Sequence, residues 1–363
     1  MKVVVVGGGL VGTAVARALA KRGVDVVVCE RGVPGAEASW AAGGILSPQA
    51  ECDVDGPLLR LCLAGLAQTL ELCASLGDVG LRTPGTLDVA STADERQALQ
   101  ARVRWQQLAG LSASWLEATE IQTRFDVDAP TFGGAFFPGE ASLEPRRFFE
   151  MLRASAQASG VRSVTGRRVV AVEEQRVILD EGEIKGDAVV VCAGAWTAQV
   201  PGSGVDAALL FPVRGQMAEL QGQKTLDLVV YGHGGYAVPR AQGRVVVGST
   251  MEHAGFAKAV TAGGLQKVLR TATSLLPSLV DAPVLSTWAG LRPATSDGLP
   301  LLGRSTSGAW IASGHFRNGV LLAAVSGERL AAALVDDVAL DPAFAPSRRA
   351  GVKAHVGEGR PRP

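Results

Sequence analysis

"VVVVGGGLVGTAVARALAKRG", residues 3–23, decides the fold. Its four valines form a β-branched run without polar alternation, the pattern of a parallel strand covered on both faces. Gly7, Gly9 and Gly12 then stand in the spacing G-x-G-x-x-G. The first permits a tight turn, the second lets backbone approach a pyrophosphate, and the third lets the following helix pack on the strand. That helix sets Val11, Ala14, Val15, Ala18 and Leu19 on one face, with Arg17, Lys21 and Arg22 pointing elsewhere. Its N-terminus offers N–H groups and the positive end of a dipole to an anion. Gly23 ends it, and residues 25–30 form a second apolar strand, completing a βαβ unit. Glu30 closes that strand, where a carboxylate accepts from a ribose 2′-hydroxyl and repels a 2′-phosphate. The stretch reads as a dinucleotide site; by itself it does not separate NAD from FAD.

Working outward, 363 residues favour two domains, or one large α/β body with an inserted part. Lys plus Arg equals Asp plus Glu at 35 each, which argues against nucleic acid or an acidic membrane as a partner recruited by overall charge. The five cysteines, at 29, 52, 62, 73 and 192, show no metal-ligand spacing. We therefore expect no metal, reduced thiols and a cytoplasmic location. Gly7 cuts the apolar start short of a signal peptide, and the longest uncharged stretch, 188–205, contains Gly194, Pro201 and Gly202, so no membrane span is expected.

Further along, the pattern changes. Helical periodicity covers about 58–76, 94–108 and the segment after Pro145, and "DAVVVCAGAW" (187–196) reads as a buried strand. From 211 to 251, strands alternate with short turns: "VRGQMAELQ", "YGHGGYAVPR" and "GRVVVGSTM". That is antiparallel sheet, a different architecture from the N-terminal unit. "AWIAS" and "GHFRNGVLLAA" (314–324) then return to strand, loop and helix. A second helix N-terminus of this kind suits the pyrimidine edge of a flavin, where it stabilises negative charge on the reduced ring.

Taken in order, "VVVVGGGLVG", "ASWAAGGILSP", "VVVCAGAW", "GYAVPR", "GRVVVGSTM", "WAGLRPATSDGLPLLG" and "GHFRNGVLLA" carry a family resemblance over roughly residues 1–340. The chain resembles the FAD-dependent amino-acid oxidases of the D-amino-acid oxidase and sarcosine oxidase family, and within it the ThiO-type glycine oxidase branch. The resemblance implies a mixed fold, α/β plus α+β, in which a Rossmann-type FAD-binding domain (1–80, 140–206, 290–340) is interleaved with an antiparallel-sheet substrate domain (81–139, 207–289). A flexible tail, 341–363, follows. It also implies oxidative deamination of glycine or another small amine to the imine, with oxygen reduced to hydrogen peroxide, in the service of thiazole biosynthesis for thiamine. A D-amino-acid dehydrogenase or a sarcosine-type enzyme with another acceptor or substrate is the alternative.

Carried onto this sequence, the resemblance assigns Gly7, Gly9, Leu10, Val11 and Gly12 to the phosphate turn, with Glu30 and Arg31 at the adenosine ribose. Ala38 and Ser39 contact FAD in the following loop. Gly43, Gly44 and Ile45 lie by the isoalloxazine, Val169 presents its backbone to the adenine, and His315, Phe316, Arg317, Asn318, Gly319, Val320 and Leu321 wrap the reactive end. Arg292, Tyr236 and Arg317 match the substrate-binding positions. Arg292 suits a carboxylate because its planar fork grips two oxygens. Gly234 and Gly235 replace larger residues, which implies a roomier pocket. Sarcosine oxidases tether FAD through a late cysteine, and none follows Cys192, so the FAD is expected to be non-covalent. A homo-oligomer is also expected.

Overall fold

The computed structural model describes all residues except 126 and 349–363. Lys2–Val6 lies inside a six-stranded sheet of order Leu301–Arg304, Trp310–Ser313, Ala188–Val191, Lys2–Val6, Asp25–Glu30 and Arg162–Thr165. All neighbours are parallel except the Leu301–Arg304 edge. Val3, Val4, Val5 and Val6 are at most 4% exposed, as a strand covered on both faces requires. Helices Leu10–Ala20, Pro57–Leu76 and Gly319–Val335 pack together on one face, and the three-stranded antiparallel sheet of Val169–Glu173, Arg176–Leu179 and Glu183–Lys185 contributes to the core on the other.

The second sheet has eight strands, in the order Val284–Thr295, Leu210–Gln221, Arg244–Gly248, Gly235–Pro239, Val229–Gly232, Thr86–Val89, Gly134–Phe137 and Ser114–Leu116. It is antiparallel apart from the pairing of Val229–Gly232 with Thr86–Val89. The strand carrying Arg292 pairs along its length with Leu210–Gln221, so the boundary expected at 290 falls inside a strand of this sheet. Helix Ala262–Leu275 covers one face of the sheet, with Val268, Ala272 and Leu275 buried.

Two expectations need correction here. Arg17 does not point to solvent: it is buried, and its Nε donates to Ser155 Oγ at 2.9 Å, because helix Pro145–Ala158 lies against that side of the first helix. The expected tail is docked as far as Arg348. Phe344 is buried, and the Arg348 guanidinium pairs with Asp297 at 2.6 Å and donates to the Leu299 and Pro300 carbonyls. The rest of that segment, 349–363, lies outside the described residues. Pro57–Leu76 and Phe316–Val335 are long and apolar enough, by length and composition alone, to cross a bilayer, but this does not overturn the expectation of no membrane span. In this fold they pack against each other as core helices.

Candidate active site

A cavity of about 640 Å³ runs from the glycine turn to the second sheet. At one end, Gly7 adopts φ +106°, and a Cβ on Gly12 would lie 2.0 Å from the Gly7 carbonyl oxygen, so the third glycine lets the helix close on the turn. Leu10 N–H donates to Ser39 Oγ at 2.9 Å. The Glu30 carboxylate accepts from the Gly8 and Gly32 N–H groups, both at 2.9 Å, and still faces the cavity. It therefore braces the glycine turn from the neighbouring strand, a role its spacing did not reveal. The Arg31 guanidinium lies 4.1 Å from the ring centre of Trp196, another cavity residue.

Midway, residues 43–45 form part of the wall. Ile45–Leu46 pairs with Ala141–Ser142, and the Leu143 N–H donates to the Gly44 carbonyl at 2.8 Å. Gly44 has φ +72°, and a Cβ there would meet the Leu143 carbonyl oxygen at 2.1 Å, so only glycine fits. Alongside, Trp288 Nε1 donates to the Ala41 carbonyl at 3.1 Å, and the Arg146 guanidinium stacks on Trp40 at 3.7 Å.

The far end gathers charge. Arg292 donates to the Thr250 carbonyl at 3.1 Å and to Ser249 Oγ, with Tyr236 as a neighbour whose hydroxyl donates to Met217 Sδ at 3.8 Å. A Cβ on Gly215 would sit 2.2 Å from its Nη1, so the cross-strand neighbour makes room for the guanidinium. Burial pulls the Arg292 pKa down, and Tyr236 partly opposes this. Arg317 pairs with Glu51 Oε1 at 2.7 Å, and Tyr231 Oη donates to that same oxygen at 2.6 Å. Although burial pulls against it, Glu51 and the two tyrosines hold Arg317 above the ordinary arginine value. Burial first, and Glu51 next, raise Tyr231 well above the ordinary tyrosine value. The tyrosine rings meet edge-on at 5.8 Å.

Every residue singled out from the sequence for cofactor or substrate lines this cavity except Gly12 and Leu321. Gly12 packs beneath the turn. Leu321 is fully buried in the helical core, and its carbonyl accepts from Thr69 at 3.1 Å. His315 lines the wall but is buried and donates to or accepts from Ser326 Oγ at 2.9 Å; burial lowers its pKa to about 4, so it is neutral near pH 7. Gly234 and Gly235 do not widen the pocket. Neither lines it, and a Cβ on Gly235 would strike the Gly248 carbonyl at 2.5 Å and Thr271 at 2.6 Å, so its smallness serves chain packing. Glu51, Tyr231 and Trp196 were missed. Glu51 sits at the end of the short helix Pro48–Glu51, just after the strand Ile45–Leu46, with no local pattern to mark it.

A Rossmann-type domain whose cavity continues onto an antiparallel sheet bearing arginines and tyrosines defines a two-domain flavin-type oxidoreductase. The comparisons agree: the family model described as FAD dependent oxidoreductase (DAO) matches residues 2–333, and the chain belongs to that family. Glycine oxidase of Geobacillus kaustophilus (strain HTA426) is 32% identical over 342 residues, covering 90% of each chain. The bifunctional protein ThiO/ThiG of Nostoc sp. is 33% identical over 349 residues, 92% of this chain and 52% of that protein. The crystal structure of glycine oxidase from Geobacillus kaustophilus superposes with a TM-score of 0.91 at 30% identity, covering 96% of this chain and 99% of that one. The residues present fit FAD: a glycine turn so close to its neighbours that a Cβ on Gly7 or Gly12 would strike backbone, a carboxylate at the second strand, and a continuous wall reaching Gly43–Ile45.

Proposed function

We propose that this chain oxidises glycine, or a comparably small amino acid, with FAD held non-covalently along the cavity. The overall reaction takes glycine, water and oxygen to glyoxylate, ammonia and hydrogen peroxide. When bound, FAD supplies the two-electron acceptor for the hydride leaving the substrate α-carbon. The observation that carries the reading is the charge pattern at the far end. Arg317 is neutralised by Glu51, whereas Arg292 makes no ion pair among the described residues. One uncompensated guanidinium beside a phenol suits one carboxylate, gripped by the fork of Arg292 and the hydroxyl of Tyr236. Holding the substrate in that orientation is the larger catalytic contribution.

Arg317 also lines the cavity, but its charge is met by Glu51, which leaves Arg292 as the guanidinium free to meet a carboxylate. No buried histidine is needed as a base, and His315 is committed to Ser326. The similarity to glycine oxidases over nine-tenths of the chain supports the substrate, and the ThiO/ThiG name of the Nostoc relative supports thiazole formation for thiamine as the setting. An oxygen electrode with FAD-loaded protein tests this with glycine, sarcosine, D-alanine and D-proline. Oxygen uptake with glycine supports the reading; uptake with none of them, while an artificial electron acceptor is reduced, favours a dehydrogenase.

A further inference from the structure

We propose that Arg240 is a positioning residue for the flavin: together with the Leu143 amide, it turns the N–H groups of Gly44 and Ile45 into the cavity. This rests on the reading that FAD occupies that cavity. Arg240 follows the strand Gly235–Pro239 and is only 4% exposed. A guanidinium so buried requires partners on its N–H groups. Nη2 donates to the Gly43 carbonyl at 2.7 Å, Nη1 donates to the Pro239 carbonyl at 3.1 Å, and Nε lies 3.4 Å from the Glu144 carboxylate. Of these partners, only Gly43 belongs to the cavity wall.

The consequence follows from peptide geometry. In a trans peptide the C=O and the next N–H point to opposite sides of the chain. Aiming the Gly43 carbonyl at Arg240 therefore aims the Gly44 N–H the other way. The Gly44 carbonyl, held by the Leu143 N–H at 2.8 Å, does the same for the Ile45 N–H. Ile45 faces Ser142 across the ladder, and the ladder bond runs from Leu143 to Gly44, so the Ile45 N–H is left on the far side. Arg240 and Leu143 do not line the cavity, whereas Gly43, Gly44 and Ile45 do. Two adjacent backbone donors are thus presented to the cavity, where they would meet the electron-rich edge of a bound flavin, and a donor fixed before binding costs no reorganisation. The segment 143–144 supplies both supports, the Leu143 amide directly and the Glu144 carboxylate through Arg240.

The test is a FAD titration of apoprotein, followed by flavin absorbance, on wild type, Arg240→Met and Arg240→Lys. Arg240→Met should raise the FAD dissociation constant about tenfold, the size of one charge-assisted hydrogen bond, and shift the visible flavin band. Arg240→Lys keeps one charged donor and should recover most of both. A merely structural arginine would lower the apoprotein melting temperature without moving the spectrum of bound flavin. Unchanged spectrum and affinity within about twofold in Arg240→Met overturn the proposal. If that variant fails to fold, the decision falls to Glu144→Gln, which loosens Arg240 from behind: a two- to threefold weaker FAD affinity, roughly, supports the proposal and an unchanged one overturns it. Wild-type protein that takes up no FAD would instead overturn the reading of the cavity itself.

Discussion

Replacing Arg292 by methionine tests the assignment of the substrate end. Methionine fills a similar length but removes the fork and the charge. Two charge-assisted hydrogen bonds to a carboxylate, at about 1.5–3 kcal/mol each, come to roughly 3–6 kcal/mol, and water entering the space returns part of that. The expected loss in kcat/KM is about 10²- to 10³-fold. The variant also leaves the Thr250 carbonyl and Ser249 hydroxyl without their donor, at a cost of about 1–2 kcal/mol of stability. Melting temperature and flavin absorbance therefore have to be recorded beside peroxide production, so that unfolding is not read as lost recognition. The variant should be folded and yellow, with a large rise in KM. A kcat/KM within about threefold of wild type would remove Arg292 from the site.

Gly215→Ala should lose about 10- to 100-fold in kcat/KM with nearly unchanged FAD affinity, because the added Cβ displaces the Arg292 guanidinium and the side-chain tip can swing aside at little cost; wild-type turnover in this variant would refute the contact. Glu51→Gln should weaken the hold on Arg317 and Tyr231, costing about 1–3 kcal/mol in urea unfolding and raising KM for glycine; unchanged stability and KM would make the pair incidental. Burial lowers the His315 pKa from 6.5 to about 4 and raises that of Glu140 from 4.5 to about 7, so between about pH 4.5 and 6.5 the first makes stability rise with pH and the second makes it fall, each by about 1.4 kcal/mol per unit at most. Relative to wild type, His315→Asn should then lose stability as pH rises and Glu140→Gln should gain it; parallel pH profiles for all three proteins would contradict the burial of both groups.

The nucleotide end was legible in the sequence because its determinants are local. A β-branched run, three glycines and an acid within 28 residues specify strand, turn and helix together; the structure adds that Glu30 also holds the Gly8 and Gly32 amides and that Trp196 lies under Arg31. The far end was legible only through resemblance, since Arg292, Tyr236 and Arg317 come from three separate segments. What escaped notice is held by contacts between distant parts of the chain. Glu51 meets Tyr231 across 180 residues, and Gly43 meets Arg240 across 197. No periodicity records such pairings. The same reason explains Arg17: a charge at a helix position reads as solvated until a later helix supplies Ser155. Residues 341–348 looked like a flexible tail because what docks them, the pairing of Arg348 with Asp297 and with the Leu299 and Pro300 carbonyls, lies about fifty residues away in the chain.

The most direct measurement is anaerobic mixing of purified, FAD-loaded protein with glycine, followed by admission of air. The account predicts that the yellow absorbance bleaches, returns with oxygen, and leaves one hydrogen peroxide and one glyoxylate per cycle, while acid precipitation releases the flavin into the supernatant. Absorbance that glycine, sarcosine, D-alanine and D-proline all fail to bleach would contradict it.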